Sequence, residues 1–166
     1  YGLPMAWFLL RHRIPRGWKI KLWIGLLLGG SQGVLGWYMV KSGLINRPYV
    51  SHFRLAAHLS LAFFVFAYLL WMVLDLQPFW THRKTNYHKL ASLRKWTLGF
   101  MALLTAQILY GAFTAGLRAG YTYNTWPKMG NRFLPGDAAP QEGVGMLENV
   151  LHNPVAVQFI HRHMGL

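Results

Sequence analysis

Three long apolar stretches alternate with short polar segments along the chain. They occupy residues 22–40, 55–74 and 96–117, and the third contains no charged side chain. Each is close to the about 20 apolar residues that an α-helix needs to cross the hydrocarbon core of a bilayer. The pattern therefore predicts three complete membrane-spanning helices.

Two shorter apolar stretches, residues 1–10 and 155–166, stand at the ends of the sequence. Neither is long enough to span a bilayer. Because the first residue is Tyr1 rather than methionine and both stretches look like parts of apolar helices, we expect the chain to be an internal piece of a larger membrane protein.

The longest polar segment, residues 118–151, contains several prolines and glycines and three of the four acidic residues of the chain. Loops of this length are usually functional or disordered. The aromatic cluster GYTYNTWPKMG at residues 120–130 favours an ordered loop at the membrane surface, because Trp and Tyr concentrate at headgroup level. A short surface helix is expected at 146–151.

The composition agrees with a membrane protein. Of the 166 residues, 54% are hydrophobic and 13% are charged, whereas soluble domains have roughly 25% charged residues. The net charge of +13 would suit nucleic acid, but the basic residues cluster between the apolar stretches, so we expect no nucleic-acid binding. The absence of cysteine excludes disulfides, thiolate metal sites and cysteine nucleophiles.

Two polar segments are basic and free of acid, residues 11–21 and 80–95. They lie on the same side of the membrane by helix count, and the positive-inside rule makes that side cytoplasmic. Residues 41–51 and 118–151 would then lie outside. This topology places His58 and His161, near the starts of their helices, at similar depth close to the outer face.

Small and polar residues recur within the apolar stretches. Three glycines at a spacing of four share one helix face, which lets another helix or a flat ligand approach closely; they are Gly25, Gly29 and Gly33. Ordinary helix packing is the simpler explanation. The pattern Gln32-x-x-x-Gly36 is repeated at Gln107-x-x-x-Gly111, which suggests duplicated bundles.

His58 and His161 differ from the other histidines because they lie within apolar helices. An ionisable side chain at that depth is costly and usually has a role. The simplest role is a hydrogen bond to a neighbouring helix, and a more specific one is axial ligation of heme iron. Six-coordinate heme needs two histidines from facing helices. Either these two pair with each other or their partners lie outside the chain.

Arginines near the predicted outer helix ends could bind heme propionates, because guanidinium groups form paired charge-assisted hydrogen bonds with carboxylates. Arg54 lies one turn before His58, and Arg118, Arg162 and Lys41 are expected at the same level. Binding of lipid headgroups is the alternative. The apolar stretches contain no Ser-His-Asp arrangement, glycine-rich phosphate loop or carboxylate pair.

Four motifs resemble those of the heme A synthase family, in its mitochondrial and proteobacterial branch. They are QGVLGWYMVKSGL at 32–44, FRLAAHLSLA at 53–62, AGLRAGYTYNTWPKMG at 115–130 and QFIHRHMG at 158–165. The resemblance implies an all-α fold, a polytopic transmembrane helix bundle of eight helices in two similar four-helix bundles. Residues 1–79 would belong to the amino-terminal, substrate-heme bundle. Residues 80–95 would form a cytoplasmic basic loop, and 96–166 would begin the carboxy-terminal, heme b bundle with the outer loop 118–151.

The resemblance also implies an oxidoreductase that converts the carbon-8 methyl group of heme O to a formyl group, giving heme A for terminal oxidase assembly. His58 would be the catalytic histidine that ligates the substrate iron, and His161 would ligate heme b. Arg54 and Arg118 would bind the propionates of these groups or shape the outer rim. The family's glutamate–histidine motif of helix two and its histidine of helix eight are absent from the sequence, so we expect the chain alone to be inactive.

Two other functions remain open: a non-catalytic diheme electron-transfer cytochrome, and a transporter or structural membrane protein. The expected partners are membrane lipid, heme O supplied by a heme O synthase, an unidentified electron donor and a further copy of the protein in a homo-oligomer. The expected location is the bacterial plasma membrane or the mitochondrial inner membrane.

Overall fold

The computed structural model describes residues 1–43, 50–77 and 87–166. Within these ranges there is no β-strand, only an isolated bridge between Met129 and Arg132, so the all-α expectation is confirmed. The described helices are α1 (Gly2–Leu10), α2 (Trp18–Gly43), α3 (His52–Asp75), α4 (Tyr87–Gly116), α5 (Met146–His152) and α6 (Pro154–Met164). Two single 3₁₀ turns, Ala119–Tyr121 and Gly136–Ala138, lie between α4 and α5.

The three predicted spans fall within α2, α3 and α4. By length and composition, α3 and the Leu90–Gly116 part of α4 could cross a membrane. The polar and small residues GGSQG at 29–33 lower the mean hydropathy of α2, so this helix is not among those that meet the same criterion in the described residues. Only 6% and 11% of the apolar windows of α3 and α4 are buried, which leaves large apolar faces for lipid or for other helices.

The two predicted connecting segments fall partly outside the described residues. In the basic segment 80–95, residues 87–95 form the first turns of α4. Residues 80–86 of this segment are not described. Of the short segment 41–51, residues 44–49 are not described. The division at residues 79 and 96 into two heme bundles stays a prediction.

The first of two compact units comprises residues 1–38 and the described residues from 61 to 77. Tyr1 donates its hydroxyl hydrogen to the carbonyl oxygen of Leu22 at 2.8 Å. A Cβ on Gly25 would lie 2.5 Å from the Tyr1 hydroxyl oxygen, so a side chain, rather than a helix backbone, comes close at this glycine. At Gly29 and Gly33 a Cβ would meet no described atom within 4 Å.

An ion pair joins two helices of this unit. The ammonium nitrogen of Lys21 on α2 lies 2.5 Å from a carboxylate oxygen of Asp75, the last residue of α3. The ammonium group also lies over the ring of Trp71, 4.8 Å from its centroid. Both charged side chains are partly exposed, and exposed pairs contribute at most about 1 kcal/mol. The pair therefore contributes little to the stability of this unit.

The second unit comprises residues 39–60 and 86–166, again within the described ranges. Its core is formed where α3, α4 and α6 meet, at Ala56, Ala112, Phe113 and Val157. Two of these four side chains are alanines, so the helix backbones can approach closely, as they do in membrane helix pairs. A further close approach occurs at Gly116, where a Cβ would lie 2.6 Å from Cα of His52.

The start of α6 is fixed by its capping residue. The side-chain oxygen of Asn153 accepts hydrogen bonds from the backbone N–H groups of Val155 and Ala156, at 2.9 and 3.5 Å. Pro154 occupies the first turn, where its missing N–H is no loss. The amide group of Asn153 also donates to the backbone carbonyl of Asp137 at 2.8 Å. One side chain thus begins the helix and binds the preceding loop to it.

We predict that Gly116→Ala destabilises the full-length protein. The new Cβ would be too close to the backbone of His52, and overpacking of this kind costs about 1–3 kcal/mol. The midpoint of thermal unfolding in detergent, followed by circular dichroism, should fall. Gly99→Ala on the same helix is the control, because its Cβ would meet no described atom within 4 Å. Equal midpoints for the two variants would contradict the close contact of α3 with α4.

A second prediction concerns the cap of α6. Asn153→Ala removes the acceptor for two backbone N–H groups and should cost about 1 kcal/mol. In the full-length protein, hydrogen exchange at the amides of Val155 and Ala156 should become faster. Asn131→Ala serves as the control, since Asn131 is an exposed residue of the loop 118–151, which precedes α6. Unchanged exchange in the Asn153 variant would show that another group holds the start of the helix.

Candidate functional site

His161 lies on the face of α6 that packs into the bundle. Val157, one turn earlier, has no exposed surface and belongs to the core of the second unit. Because residues four apart in a helix share a face, the side chain of His161 projects from the same face of α6 as Val157. The side chain is half-buried, which agrees with the prediction that His161 is set within the helix bundle.

The imidazole of His161 lies directly against the backbone of α4. A Cβ on Gly111 would be 3.1 Å from Cε1 of the imidazole and 3.6 Å from Nε2. Gly111 therefore leaves room for the imidazole ring, and the side chain of a larger residue would fill this space. We call this space the seat of His161. The Gln107-x-x-x-Gly111 pattern makes a second close contact one turn earlier. A Cβ on Gly165, the residue after α6, would lie 2.7 Å from the amide nitrogen of Gln107.

The hydrogen bonding of His161 is incomplete. Its Nδ1 atom is buried and has no hydrogen-bond partner among the described residues. Buried polar groups in proteins are nearly always satisfied, so an unsatisfied imidazole in a bundle needs an explanation. A hydrogen bond from Nδ1 of His161 to a neighbouring helix is therefore not found within the described ranges. A half-buried imidazole with one side against a glycine is chemically able to ligate a metal ion.

His163 serves as an internal comparison on the same helix. Its Nδ1 atom lies 2.9 Å from the carbonyl oxygen of Phe159, and its ring packs on the Phe159 ring with the centroids 4.2 Å apart. Two residues in a helix are separated by about 200° around the axis, so His163 and His161 start from different faces. The contact with Gly111 selects His161 as the histidine directed at α4.

His58 lies on a different face of α3 from the residue that enters the core. Ala56 packs in the core of the second unit, and His58, two residues later, starts about 200° further around the axis. The histidine is half-buried. Arg54, one turn earlier and also half-buried, shares its face, as the spacing predicts. The pairing of His58 with His161 gains no support from these faces.

Arg118 marks the point where α4 gives way to the long loop. Its φ of 54° places the backbone in the left-handed region, which few residues other than glycine adopt. The turn after Gly116 is therefore sharp, and the side chain of Arg118 is exposed at the beginning of the loop. Its predicted role at a propionate stays a prediction.

The loop 118–151 is ordered by contacts with α6, as the aromatic cluster predicts. Met129 and Ala138 pack with Val155 in a small core. The side-chain amide of Gln158 donates to the carbonyl oxygen of Tyr123 at 2.7 Å. The Tyr123 hydroxyl group in turn donates to a carboxylate oxygen of Asp137 at 2.9 Å. This hydrogen bond to the carboxylate raises the pKa of Tyr123. The expected short helix at 146–151 is present as α5.

Arg162, the residue that follows His161, connects α6 with the loop. One guanidinium nitrogen, Nη2, donates to the carbonyl oxygen of Thr125, and the guanidinium carbon lies 5.0 Å from the ring centroid of Trp126. The other nitrogen, Nη1, is buried without a hydrogen-bond partner among the described residues. The sequence placed Arg162 at the level of the outer helix ends and could not show these contacts, which join residues far apart in the chain.

Two further histidines come together where α3 begins. The rings of His52 and His152 lie 5.1 Å apart, edge to face, and Phe113 packs against His52 at 5.4 Å. His52 is 9% exposed. Sequence reasoning found no partner for either histidine, because α3 and α5 are distant in the chain. Within the described residues no group of three or more histidine, cysteine or acidic side chains could hold a metal ion.

Comparison with known proteins shows similarity over the whole chain. The model of the cytochrome oxidase assembly protein family, COX15-CtaA, matches residues 1–166. Heme A synthase from Paramagnetospirillum magneticum is 41% identical over 98% of this chain and 45% of its own length. Heme A synthase from Wolbachia pipientis wMel is 41% identical over 100% of this chain and 46% of its own length. Heme A synthase from Agrobacterium fabrum is 42% identical over 98% of this chain and 43% of its own length.

The chain spans a little under half the length of these curated relatives. No solved structure matches it with statistical significance. The family model covers every residue, including the four motifs that carry the resemblance. The chain therefore belongs to the COX15-CtaA family of cytochrome oxidase assembly proteins.

Proposed function

We propose that the full-length protein is a heme A synthase, an oxidoreductase that converts the carbon-8 methyl group of heme O to a formyl group. The proposal is supported by relatives of that name that are about 41% identical along the whole chain. The structural observation that carries it is the half-buried imidazole of His161, seated on Gly111 with an unpaired Nδ1 atom. Heme A would serve the assembly of terminal oxidases, in keeping with the family description.

His161 would hold the iron of a resident heme b. The residues fit such a group, because the imidazole lies against α4 at Gly111 and its buried Nδ1 atom has no hydrogen-bond partner within the described residues. A bound heme b supplies one-electron transfer, and the protein sets its axial ligand and surroundings. The seat at Gly111 would fix the plane of the imidazole ring, and the apolar core around Val157 would limit access of water.

His58 would ligate the iron of the substrate, heme O, and is the residue that we propose as catalytic. Arg54 shares its helix face and would bind a propionate of that heme, and Arg118 would act at the rim where α4 ends. The partner ligands would come from parts of the protein outside this chain. The separate faces used by His58 and His161 support two heme sites rather than one shared site.

Membrane lipid and heme O are the expected partners, with heme O supplied by a heme O synthase and electrons by a donor of unknown identity. A homo-oligomer is compatible with the large apolar faces of α3 and α4. No nucleic acid is expected. The bacterial sources of the matched relatives favour the plasma membrane as the location, with the mitochondrial inner membrane as the alternative.

The function is tested by extracting heme from the full-length protein, expressed with a source of heme O, and separating it by chromatography. We expect heme A from the unaltered protein and none from His58→Ala or His161→Ala. The His161 variant should also lose bound heme b. His163→Ala is the matched control, since its ring starts from another face of α6, and it should still yield heme A.

Two outcomes would replace the proposal. Heme b without heme O or heme A under any condition would indicate a diheme electron-transfer cytochrome, which needs the same histidines. A protein that contains no heme would indicate a transporter or structural protein whose histidines serve packing.

We predict further that Gly111→Ala changes the environment of heme b. The added Cβ would lie 3.1 Å from Cε1 of His161, so the imidazole has to move by a few tenths of an ångström. Gly111→Val should displace it further and lower the heme b content. The α-band of reduced heme b and the electron paramagnetic resonance g values of oxidised heme b should shift in both variants. Gly99→Ala on the same helix should leave them unchanged, and unchanged spectra in all three variants would disprove the seat.

A further inference from the structure

Arg162 holds a cationic group in a fixed position beside the proposed heme ligand. Its Nη2 atom donates to the carbonyl oxygen of Thr125, and its guanidinium plane lies over the ring of Trp126. Thr125 is fixed in turn, because its hydroxyl group donates to the carbonyl of Lys128 at 2.8 Å and accepts from the N–H of Gly130 at 2.7 Å. The guanidinium group is therefore held from two sides by an ordered part of the loop.

Within the part of the chain that the structure describes, the guanidinium group of Arg162 has no carboxylate partner. Among the described residues the ion pair found is that of Lys21 with Asp75, in the other unit. Asp137, an acidic residue of the loop, accepts a hydrogen bond from the hydroxyl group of Tyr123. Arginine does not lose its proton in proteins, so Nη1 stays a charged donor, buried and without an acceptor.

A buried charged donor without an acceptor is among the costliest arrangements in a protein interior. The cost disappears when an oxyanion occupies the position in front of Nη1. The planar guanidinium group is suited to a carboxylate, with which it forms short charge-assisted hydrogen bonds. Heme carries two carboxylates at one edge of its ring, and Arg162 follows the residue that would ligate its iron.

We propose that Nη1 of Arg162 binds a propionate carboxylate of the heme ligated by His161. The inference rests on the proposed function in so far as it requires a heme at His161. Two adjacent residues of α6 would then fix the same heme at its iron and at its edge. The contacts of Arg162 with Thr125 and Trp126 would link occupation of the heme site to the order of the loop 118–151.

The experiment compares two hemes on apoprotein prepared from the full-length protein. One is heme b, and the other is its dimethyl ester, in which both carboxylates are masked. We expect the unaltered protein to bind heme b about 10- to 100-fold more tightly than the ester, the range for a hydrogen bond to a charged group. Arg162→Gln should reduce this ratio towards one, and Arg162→Lys, which keeps the charge but loses the planar pair of donors, should give an intermediate ratio.

Arg132→Gln is the matched control. Arg132 is an exposed arginine of the same loop, so this variant loses the same charge and should keep the full preference for heme b. The midpoint potential of bound heme b gives a second measurement. Loss of the guanidinium group should make its dependence on pH between 5 and 8 steeper, roughly the range in which a propionate without a cationic partner takes up its proton.

An unchanged ratio in Arg162→Gln would overturn the proposal. So would loss of co-purified anionic phospholipid from that variant with an unchanged heme ratio, because Arg162 would then bind a lipid phosphate. Apoprotein that binds no heme at all would overturn both this proposal and the proposed function. The expected ratio without any formation of heme A would support the propionate site and contradict the synthase activity alone.

Discussion

The second unit depends on how closely three helices approach one another around α4. In lipid, helix association depends on van der Waals packing and on small residues that let backbones come close. Gly111 receives the imidazole of His161, Ala112 enters the core, and Gly116 meets the backbone of α3 at His52. These small residues span little more than one helical turn of α4. They place the start of α3 and the histidine of α6 against one short surface, and the remaining contacts of the unit follow from that placement.

The long loop adds polar contacts to this apolar arrangement. Asn153 begins α6 and holds the loop at Asp137, Gln158 holds it at Tyr123, and Arg162 holds it at Thr125. The last two side chains lie one turn apart on the same helix face. The loop is thus attached along the helix that carries His161. A shift of α6 would therefore displace the loop residues that are hydrogen-bonded to it. The order of a loop rich in proline and glycine follows from these attachments rather than from its own secondary structure.

The helices and the short surface helix could be predicted from the sequence because apolar length and periodicity are local properties. The seat at Gly111, the ion pair of Lys21 with Asp75 and the contact of His52 with His152 could not, since each joins residues from different helices. The small-residue face of α2 was recognisable, but only Gly25 is closely approached in the described residues. For His58 the sequence supplies the residue and its helix face, but no contact among the described residues tests its role as a heme ligand, so that role stays a prediction.

A common chemical arrangement connects the two proposed heme sites. Each histidine has an arginine nearby on its own helix: Arg54 lies one turn before His58, and Arg162 follows His161. A ferric heme with two ionised propionates has a net negative charge at its edge, and a low-dielectric bundle makes that charge expensive unless a cation meets it. In the proposed arrangement, one helix supplies both the imidazole that ligates the iron and the guanidinium group whose positive charge offsets the carboxylates. In the proposed site of His161, the buried Nη1 atom of Arg162, which has no hydrogen-bond partner among the described residues, is the donor that would meet a carboxylate.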